Sequence, residues 1–505
     1  MAPEMICFSS RCKNDKVICQ IIKRVREFYP LLPIICGGFG PTYTPLQYLE
    51  GGATLVVRGE GEIAMEQILE RHGTGRDFHD VTNACYLKEG ELVCNQLAPP
   101  LRTFTDVPRP LVGEQHVTFI ENNTLAARDP AYDDATFPIL LGRGCVGDCS
   151  YCAAPVLRNL YKENGSYMPR YRKGNLESAL LELEMAKKHG VTSVQFKDEY
   201  LTLSPKELIA FFALYKERIG LLYKANFHHQ HLLFHADVRQ AVIQAGFHSY
   251  AIGFQAGEEA MAREVYNRPH LFKDFLELAQ ILFHEFVTLQ YHFVSGTTLN
   301  TDEEFQEKLQ LIKSLPFDPV LPQRTLLFDF QFYPQEGARM TTAIGKGKIE
   351  RVATLEWGLK ALLCQLRVVA NDSDFASLLA SARPELPCIE ELQKTFLHLQ
   401  AQKKKEQYAR LNETFASTRC LCIKNADENH SARSPVADIP ILATIPMFQT
   451  AKDRTRFMET LKETGCTENT PILLASTPLL ESARLLRREC GLTNPIYPVE
   501  SFPTR

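Results

Sequence analysis

The chain has 505 residues, 45% hydrophobic, 23% charged and 10% aromatic, with a formal net charge of −4. That length exceeds one ordinary domain and sets an expectation of roughly three to four. The near-neutral charge excludes a generic polyanion binder, so no nucleic-acid partner is expected. No apolar run approaches the ~20 residues needed to cross a bilayer, so no membrane partner is expected either. The start, Met1 to Ser10, lacks a basic region followed by an apolar core and does not read as a signal peptide. Fifteen cysteines, an odd number scattered along the chain, point to a reducing, cytoplasmic compartment. Most read as apolar fillers, among them Cys7, Cys36, Cys364 and Cys420.

Residues 1–75 alternate strand and helix. Met5–Phe8, Leu32–Cys36 and Leu55–Val57 read as strands. Val17–Phe28 reads as a helix whose apolar face is Val17, Ile21, Ile22, Val25 and Phe28, and Leu46–Leu49 and Ile63–Leu69 as further helices. This is a parallel α/β layout, with ligands expected at the carboxyl ends of the strands. Three strands are few for an independent sheet, and the unit reads as clipped at its front. Residues 76–136, punctuated by Gly and Pro, read as a linker with a small hairpin, Tyr86–Leu87 and Leu92–Val93 around Glu89-Gly90.

Residues 137–345 repeat strand and helix six times. The strands are expected at Phe137–Leu141, Ser193–Phe196, Ala225–His228, Tyr250–Phe254, Gln290–Val294 and Leu326–Phe332. Helices are expected between them, including Phe234–Ala245. The pattern fits a partial TIM-type (βα)6 barrel, whose chemistry lies at the strand C-termini. Residues 346–416 are helical, and 417–505 return to an α/β pattern of unassigned role.

One cysteine cluster differs in kind. Directly after the first barrel strand, Gly142 to Cys152 places Cys145, Cys149 and Cys152 at C-x3-C-x2-C spacing on a loop with Gly144 and Gly147. Three thiolates on a pliant loop suit one iron–sulfur centre, and the missing fourth ligand leaves an iron open. The alternative is zinc or coincidence, although a structural zinc wants four closed ligands.

The stretch resembles the signature of the radical SAM superfamily, C-x3-C-x-aromatic-C after the first barrel strand, with Cys145, Cys149, Tyr151 and Cys152 filling it. The resemblance implies that Cys145, Cys149 and Cys152 hold a 4Fe–4S cluster whose free iron chelates S-adenosylmethionine. An electron would then cleave that molecule to a 5′-deoxyadenosyl radical. It implies S-adenosylmethionine contacts at Tyr151, at Asp198 and Glu199 after the second strand, at Gln255 in Gly253-Phe254-Gln255-Ala256-Gly257, and at Gly296 after the fifth. A carboxylate at 198 or 199 can hold the cationic amine, whereas a charge pair at a helix N-terminus is the bland alternative. Gln255 stands where the family usually has an acid. Phe332-Tyr333-Pro334 and Gly337 resemble the segment that closes the barrel.

The first unit resembles the cobalamin-binding domain that precedes this barrel in one subfamily, which makes it a truncated Rossmann-like domain. Ser9, Ser10, Gly37, Gly38, Gly59 and Gly61 match its pattern and imply cobalamin contacts, while its D-x-H-x-x-G motif is absent; Asp77-Phe78-His79 is a superficial echo. Gly59-x-Gly61-x-x-Ala64 also satisfies a loose dinucleotide fingerprint, for which a helix-opening turn is the simpler account. His228, His229, His231 and His235 follow the third barrel strand and read as surface residues or as a substrate or metal site.

As the resemblance implies, the expected function is radical SAM catalysis with cobalamin-associated methyl transfer to a carbon centre. The alternatives are radical cyclisation or rearrangement without methyl transfer, and a non-catalytic iron–sulfur protein. The implied partners are a small-molecule or peptide substrate and an electron donor such as flavodoxin or ferredoxin.

Overall fold

The computed structural model describes residues 3–11, 14–104, 107, 118–121, 124–125, 136–318, 321–332, 338–346 and 349–415. It also describes short stretches at 420–424, 441–446, 457–459, 461, 463–464, 472–474, 486 and 496–498. In the first unit Ile6–Ser9 (β1), Ile34–Gly37 (β2) and Leu55–Val57 (β3) form a parallel sheet. Asp15–Phe28 (α1) buries Cys19 and Ile22 on one face of the sheet, with Cys36 and Tyr48. Glu62–Thr74 (α2) buries Ala64 and Ile68 on the other, with Ile35, Leu55 and Val57. The sheet is covered on both faces, as an α/β unit requires. Val17, Ile21 and Phe28, expected on the buried face of α1, are exposed instead. Ile22 is fully enclosed and Val25 packs against the core, so the expected face is only partly turned to the sheet.

The hairpin expected within the linker is part of this sheet. Ala84–Lys88 (β4) runs antiparallel to β3, and Glu91–Cys94 (β5) follows at the edge. Glu89 and Gly90 both take positive φ, 54° and 85°, which a tight two-residue hairpin turn demands. The physical reason for its placement is burial: Ala84 joins the core on one face of the sheet and Cys85 the core on the other. Cys85 and Cys94 oppose each other across the hairpin and are disulfide-bonded, a pairing the all-thiol reading of the cysteines does not anticipate. Cys36 and Cys364 are buried fillers as expected, whereas Cys7 is exposed; the side chain of Cys420 lies outside the described residues.

The barrel is a six-stranded parallel sheet. Its strands are Thr136–Ile139 (β6), Ser193–Phe196 (β7), Leu222–Lys224 (β8), Phe247–Gln255 (β9), Thr288–Ser295 (β10) and Thr325–Gln331 (β11). The helices that matter below are Ala153–Glu163 (α3), Pro205–Arg218 (α4), Phe272–His284 (α5) and Asp302–Lys313 (α6). Outward-facing aromatics hold the helical layer. Phe196 and Tyr223 meet Phe211, Phe212 and Tyr215 of α4 with ring centroids 4.8–6.1 Å apart. Each such buried ring contributes about 1.5–3 kcal/mol.

The third strand lies at 222–224, upstream of the expected 225–228. The ladder shifts register at Tyr223/Lys224, and within the expected stretch only an isolated bridge, Phe227 to Leu201, forms. The expected helix over 234–245 is two helices, His229–Phe234 and Ala236–Gln244, broken at His235.

Thr354–Val369 (α7) and Leu386–Phe415 (α8) pack together beside β11. Beyond them Cys420–Lys424, Ile441–Pro446, Ile472–Leu474 and Ile496–Pro498 form a parallel sheet. Tyr333, Pro334 and Gly337, and most of the helices expected near 455–464 and 479–490, lie outside the described residues. Among the described residues no helix is long and apolar enough to cross a membrane.

Candidate functional site

The cysteine loop is built before it binds anything. Gly142–Gly144 pairs antiparallel with Tyr171–Lys173, and Gly144 takes φ +105° where a Cβ would strike the Arg170 carbonyl. Only glycine fits there. Arg158 of α3 donates to the carbonyls of Cys145 (3.0 Å) and Gly147 (2.8 Å) and pairs with Asp148, which Arg170 also holds. Ser150 donates from Oγ to the Val265 carbonyl at 2.6 Å, and Asn267 donates to the Asp148 carbonyl at 2.8 Å. The loop backbone is therefore anchored from α3 on one side and the 265–267 turn on the other.

Each thiol receives one N–H donor. The Gly147 amide points at Cys145 Sγ (3.4 Å), and the Ala154 amide at Cys152 Sγ (3.5 Å), where Cys152 caps α3. The Arg268 guanidinium points at Cys149 Sγ (3.6 Å). Burial raises the Cys145 thiol above its ordinary range and pushes Cys152 up to about 11. A metal must displace those protons, so loading is coupled to proton release. A Cβ on Gly147 would lie 3.5 and 3.6 Å from the sulfurs of Cys145 and Cys149, so that glycine keeps the space between two ligands clear. Among the described residues no three such side chains converge on a single-ion site. A cube spreads three thiolates over three irons, so the donor set fits a cluster with one iron free.

The other expected contacts separate into two groups. Glu199 is exposed, and its charge raises both Cys145 and Cys152, so it lies near the cysteine loop. Tyr151 packs edge-on against Tyr266 at 5.6 Å, walling the cluster loop. Gln255 is buried at φ +69°, and its amide lies over Gly253 where a Cβ would clash. Gly296 is buried in the turn after β10 at φ +89°, against Gln331 and Trp357. Asp198 is different: Oδ2 accepts from the Leu141 amide at 2.9 Å, bracing the end of β6, and the buried Oδ1 has no partner. Burial pushes its carboxyl up to about 7. Asp198 is thus a brace at the end of β6, while Glu199 is exposed near the cysteines.

Arg268 has no counterpart among the sequence expectations. It is buried, and besides Cys149 it donates to the Tyr200 hydroxyl (3.1 Å) and the Gly253 carbonyl (3.2 Å), leaving Nε unpartnered. The one local signal was the Asn267-Arg268-Pro269-His270 run, which reads as a turn; Asn267 indeed has φ +55°.

The histidines gather behind Arg268. His228, His229 and His270 stand 4.8–5.9 Å apart by ring centroid, with His229 buried against Phe275 of α5. His235 is exposed, as the surface reading expects, but His229 is not. Burial, then the neighbouring His270, His228 and Arg268, push His229 down to about 3. A histidine held neutral in the fold binds its proton more readily when unfolded. Stability is therefore full above about pH 6.5 and declines as pH falls from there toward 3. Below pH 6.5 this one group costs about 1.4 kcal/mol per pH unit. Urea midpoints should fall between pH 7.5 and 5.5, and His229→Leu should flatten that slope; equal slopes would refute the buried neutral imidazole.

The first unit docks on the cysteine loop. Glu60 pairs with Arg172 (2.8 and 2.9 Å) and Glu62 with Arg143 (2.6 Å), so Arg58-Gly59-Glu60-Gly61-Glu62 serves this contact. Tyr43 Oη donates to the Ala153 carbonyl at 3.1 Å. Gly61 caps α2, confirming the helix-opening turn. At the strand ends Ser9 is exposed, and Gly37 and Gly61 have room for a ligand. The space at Gly38 is taken by the Ser10 backbone and that at Gly59 by the Tyr161 ring, while Ser10 Oγ is spent on Asp15. Arg11, next after Ser10, lines a cavity of ≈ 560 Å³ together with Gly142, Arg143 and Lys197. That cavity runs along the barrel's edge strand and is also lined by Ser178, Ala179 and Glu182 of the flanking helix.

Residues 139–312 match the radical SAM superfamily. The chain is 22% identical over 228 residues to an uncharacterised methyltransferase of Pyrococcus horikoshii, covering 44% of this chain and 45% of that one. It is 22% identical over 265 residues to the anaerobic magnesium-protoporphyrin IX monomethyl ester cyclase of Synechocystis, covering 52% and 49%. It therefore spans about half the length of the curated relatives it matches. Its fold resembles that of the radical S-adenosylmethionine methyltransferase TsrM from Kitasatospora setae, solved with cobalamin and a [4Fe-4S] cluster (TM-score 0.53, 15% identity, 69% of this chain and 67% of that). It also resembles the cobalamin-dependent S-adenosylmethionine radical enzyme OxsB, solved with aqua-cobalamin and S-adenosylmethionine (TM-score 0.55, 12% identity, 92% and 67%). With its thiol triad on the loop after the first barrel strand and an α/β unit docked beside it, the chain carries a segment, residues 139–312, that matches the radical SAM superfamily, and it has a fold like that of the cobalamin-dependent enzymes TsrM and OxsB.

Proposed function

We propose that the protein is a radical SAM enzyme that transfers a methyl group to a carbon centre with cobalamin as carrier. The observation that supports this most is the docking of the α/β unit on the cysteine loop: Glu60 pairs with Arg172, Glu62 with Arg143, and the Tyr43 hydroxyl donates to the Ala153 carbonyl next to Cys152. When bound, the cluster supplies one electron for reductive cleavage of S-adenosylmethionine, and cobalamin supplies a methyl carrier. Cys145, Cys149 and Cys152 would hold the cluster; Ser9, Gly37 and Gly61 would meet cobalamin. Glu199 holds the methionine amine, Tyr151 walls the loop, and Gln255 and Gly296 shape the far side of the pocket. Asp198 fixes the end of the strand from which the loop departs.

Ser10, Gly38 and Gly59, occupied by the protein's own packing, favour a second reading: radical cyclisation or rearrangement without methyl transfer. Anaerobically reconstituted protein separates the two. Methyl transfer requires cobalt, S-adenosylhomocysteine and a methylated product. The second reading yields 5′-deoxyadenosine with iron and sulfide but no cobalt, and absence of 5′-deoxyadenosine overturns both. The substrate is a small molecule or peptide and the electron comes from a flavodoxin- or ferredoxin-type donor.

A further inference from the structure

Residues along a barrel strand alternate between the helix-packed outside and the lumen. On β10, Leu289, Tyr291, Phe293 and Ser295 are buried, and Ser295 donates to Asp329, which pairs with Lys308 of α6. The alternate residues, His292 among them, therefore face the lumen. The ladder pairs His292 with Phe328 and Val294 with Phe330, which puts both phenylalanines on the same face. Their rings stack at 5.7 Å and 7°, and His292 stands edge-on to each, at 5.4 and 5.1 Å. Yet Phe328 is 37% and Phe330 45% exposed. Phe328 also lines a cavity of ≈ 370 Å³ closed by Gln365 of α7 and Phe396 of α8.

The opposite wall carries charge. Phe196 and Tyr223 point outward to α4, so Gln195, Lys197 and Lys224 face the lumen, and Lys197 continues the β7 ladder by donating its amide to the Ile139 carbonyl at 2.7 Å. Neither the Lys197 nor the Lys224 amine has an ion-pair partner among the described residues. Burial and then Arg268 push His292 down to about 4, so the aromatic wall carries no charge of its own and shares its space with the arginine that touches Cys149.

We propose that the lumen binds a substrate consisting of a flat conjugated ring system with an anionic group, the ring on the His292–Phe328–Phe330 wall and the anion toward Lys224 and Lys197. Open aromatic faces in a concave site gain from a flat apolar partner, and ammonium groups without an ion-pair partner, Lys224 half-buried and Lys197 exposed, gain from an anion. Ring and charge lie on facing walls, so one ligand can use both. This rests on the radical SAM reading, which makes the lumen a substrate site.

The test uses 8-anilino-1-naphthalenesulfonate and its uncharged analogue N-phenyl-1-naphthylamine, titrated by fluorescence into the full-length reconstituted protein. The wild type is expected to bind the sulfonate at one site about tenfold more tightly than the neutral probe. Phe330→Leu weakens both probes about tenfold, and Lys224→Met weakens the sulfonate alone, erasing the preference. Equal affinity of the wild type for the two probes overturns the proposal, as does binding that neither variant changes. Probe binding is read without turnover. A wild type that shows the expected pattern but releases no 5′-deoxyadenosine refutes the radical SAM reading alone. Normal release with indifferent probe binding refutes the ring-and-anion lumen alone.

Discussion

Cys149→Ala is expected to abolish the iron–sulfur absorbance of the reconstituted protein and to bring 5′-deoxyadenosine release below about a hundredth of the wild-type rate, the upper end of what even a ligand's supporting residue costs. Two remaining thiolates cannot bind three irons. The loop itself should survive, since its anchors are the carbonyls of Cys145, Gly147 and Asp148 and the Ser150 hydroxyl, none of which needs a sulfur. An unchanged melting midpoint with lost iron is therefore the expected pair of results. Full iron content in the variant would refute the assignment of Cys149 as a ligand.

Arg268→Gln should act differently: iron retained, 5′-deoxyadenosine release down about 10–100-fold. The guanidinium is buried and donates at once to Cys149 Sγ, the Tyr200 hydroxyl and the Gly253 carbonyl. Hydrogen bonds to cluster sulfurs and nearby positive charge favour the more electron-rich state, so their loss makes reduction harder. A redox titration followed by electron paramagnetic resonance should show the variant's midpoint displaced to more negative potential. Arg268→Lys keeps the charge but lacks the planar fork that spans Cys149 and Tyr200, so it should recover only part of the shift. An unmoved midpoint would show that Arg268 serves the fold alone.

These two residues mark how far the chain can be read before it folds. Cys145, Cys149 and Cys152 could be singled out because their pattern is local: eight residues carry the three thiols, the spacing and the glycines that let the backbone wrap. Most strands and helices were legible for the same reason, as apolar periodicity reports a buried face wherever the neighbouring layer is ordinary. Arg268 reaches Cys149 across 119 positions, and nothing around it announces the contact. Asp198 and Glu199 are adjacent in sequence and looked interchangeable, yet one is buried as a brace and the other is exposed, because successive residues at a strand end point opposite ways.

Composition, periodicity and one short motif were enough to determine the architecture and the cluster loop, since each depends on interactions within a few turns of chain. Only the tertiary structure decided that the 84–94 hairpin completes the first sheet, that Glu60 and Glu62 lock that sheet to Arg172 and Arg143 beside the cysteines, and that an aromatic wall faces two lysines across the lumen. Those arrangements depend on which side chains meet after distant strands have paired. Pairing is selected by the burial of the whole core, which no local window of sequence contains.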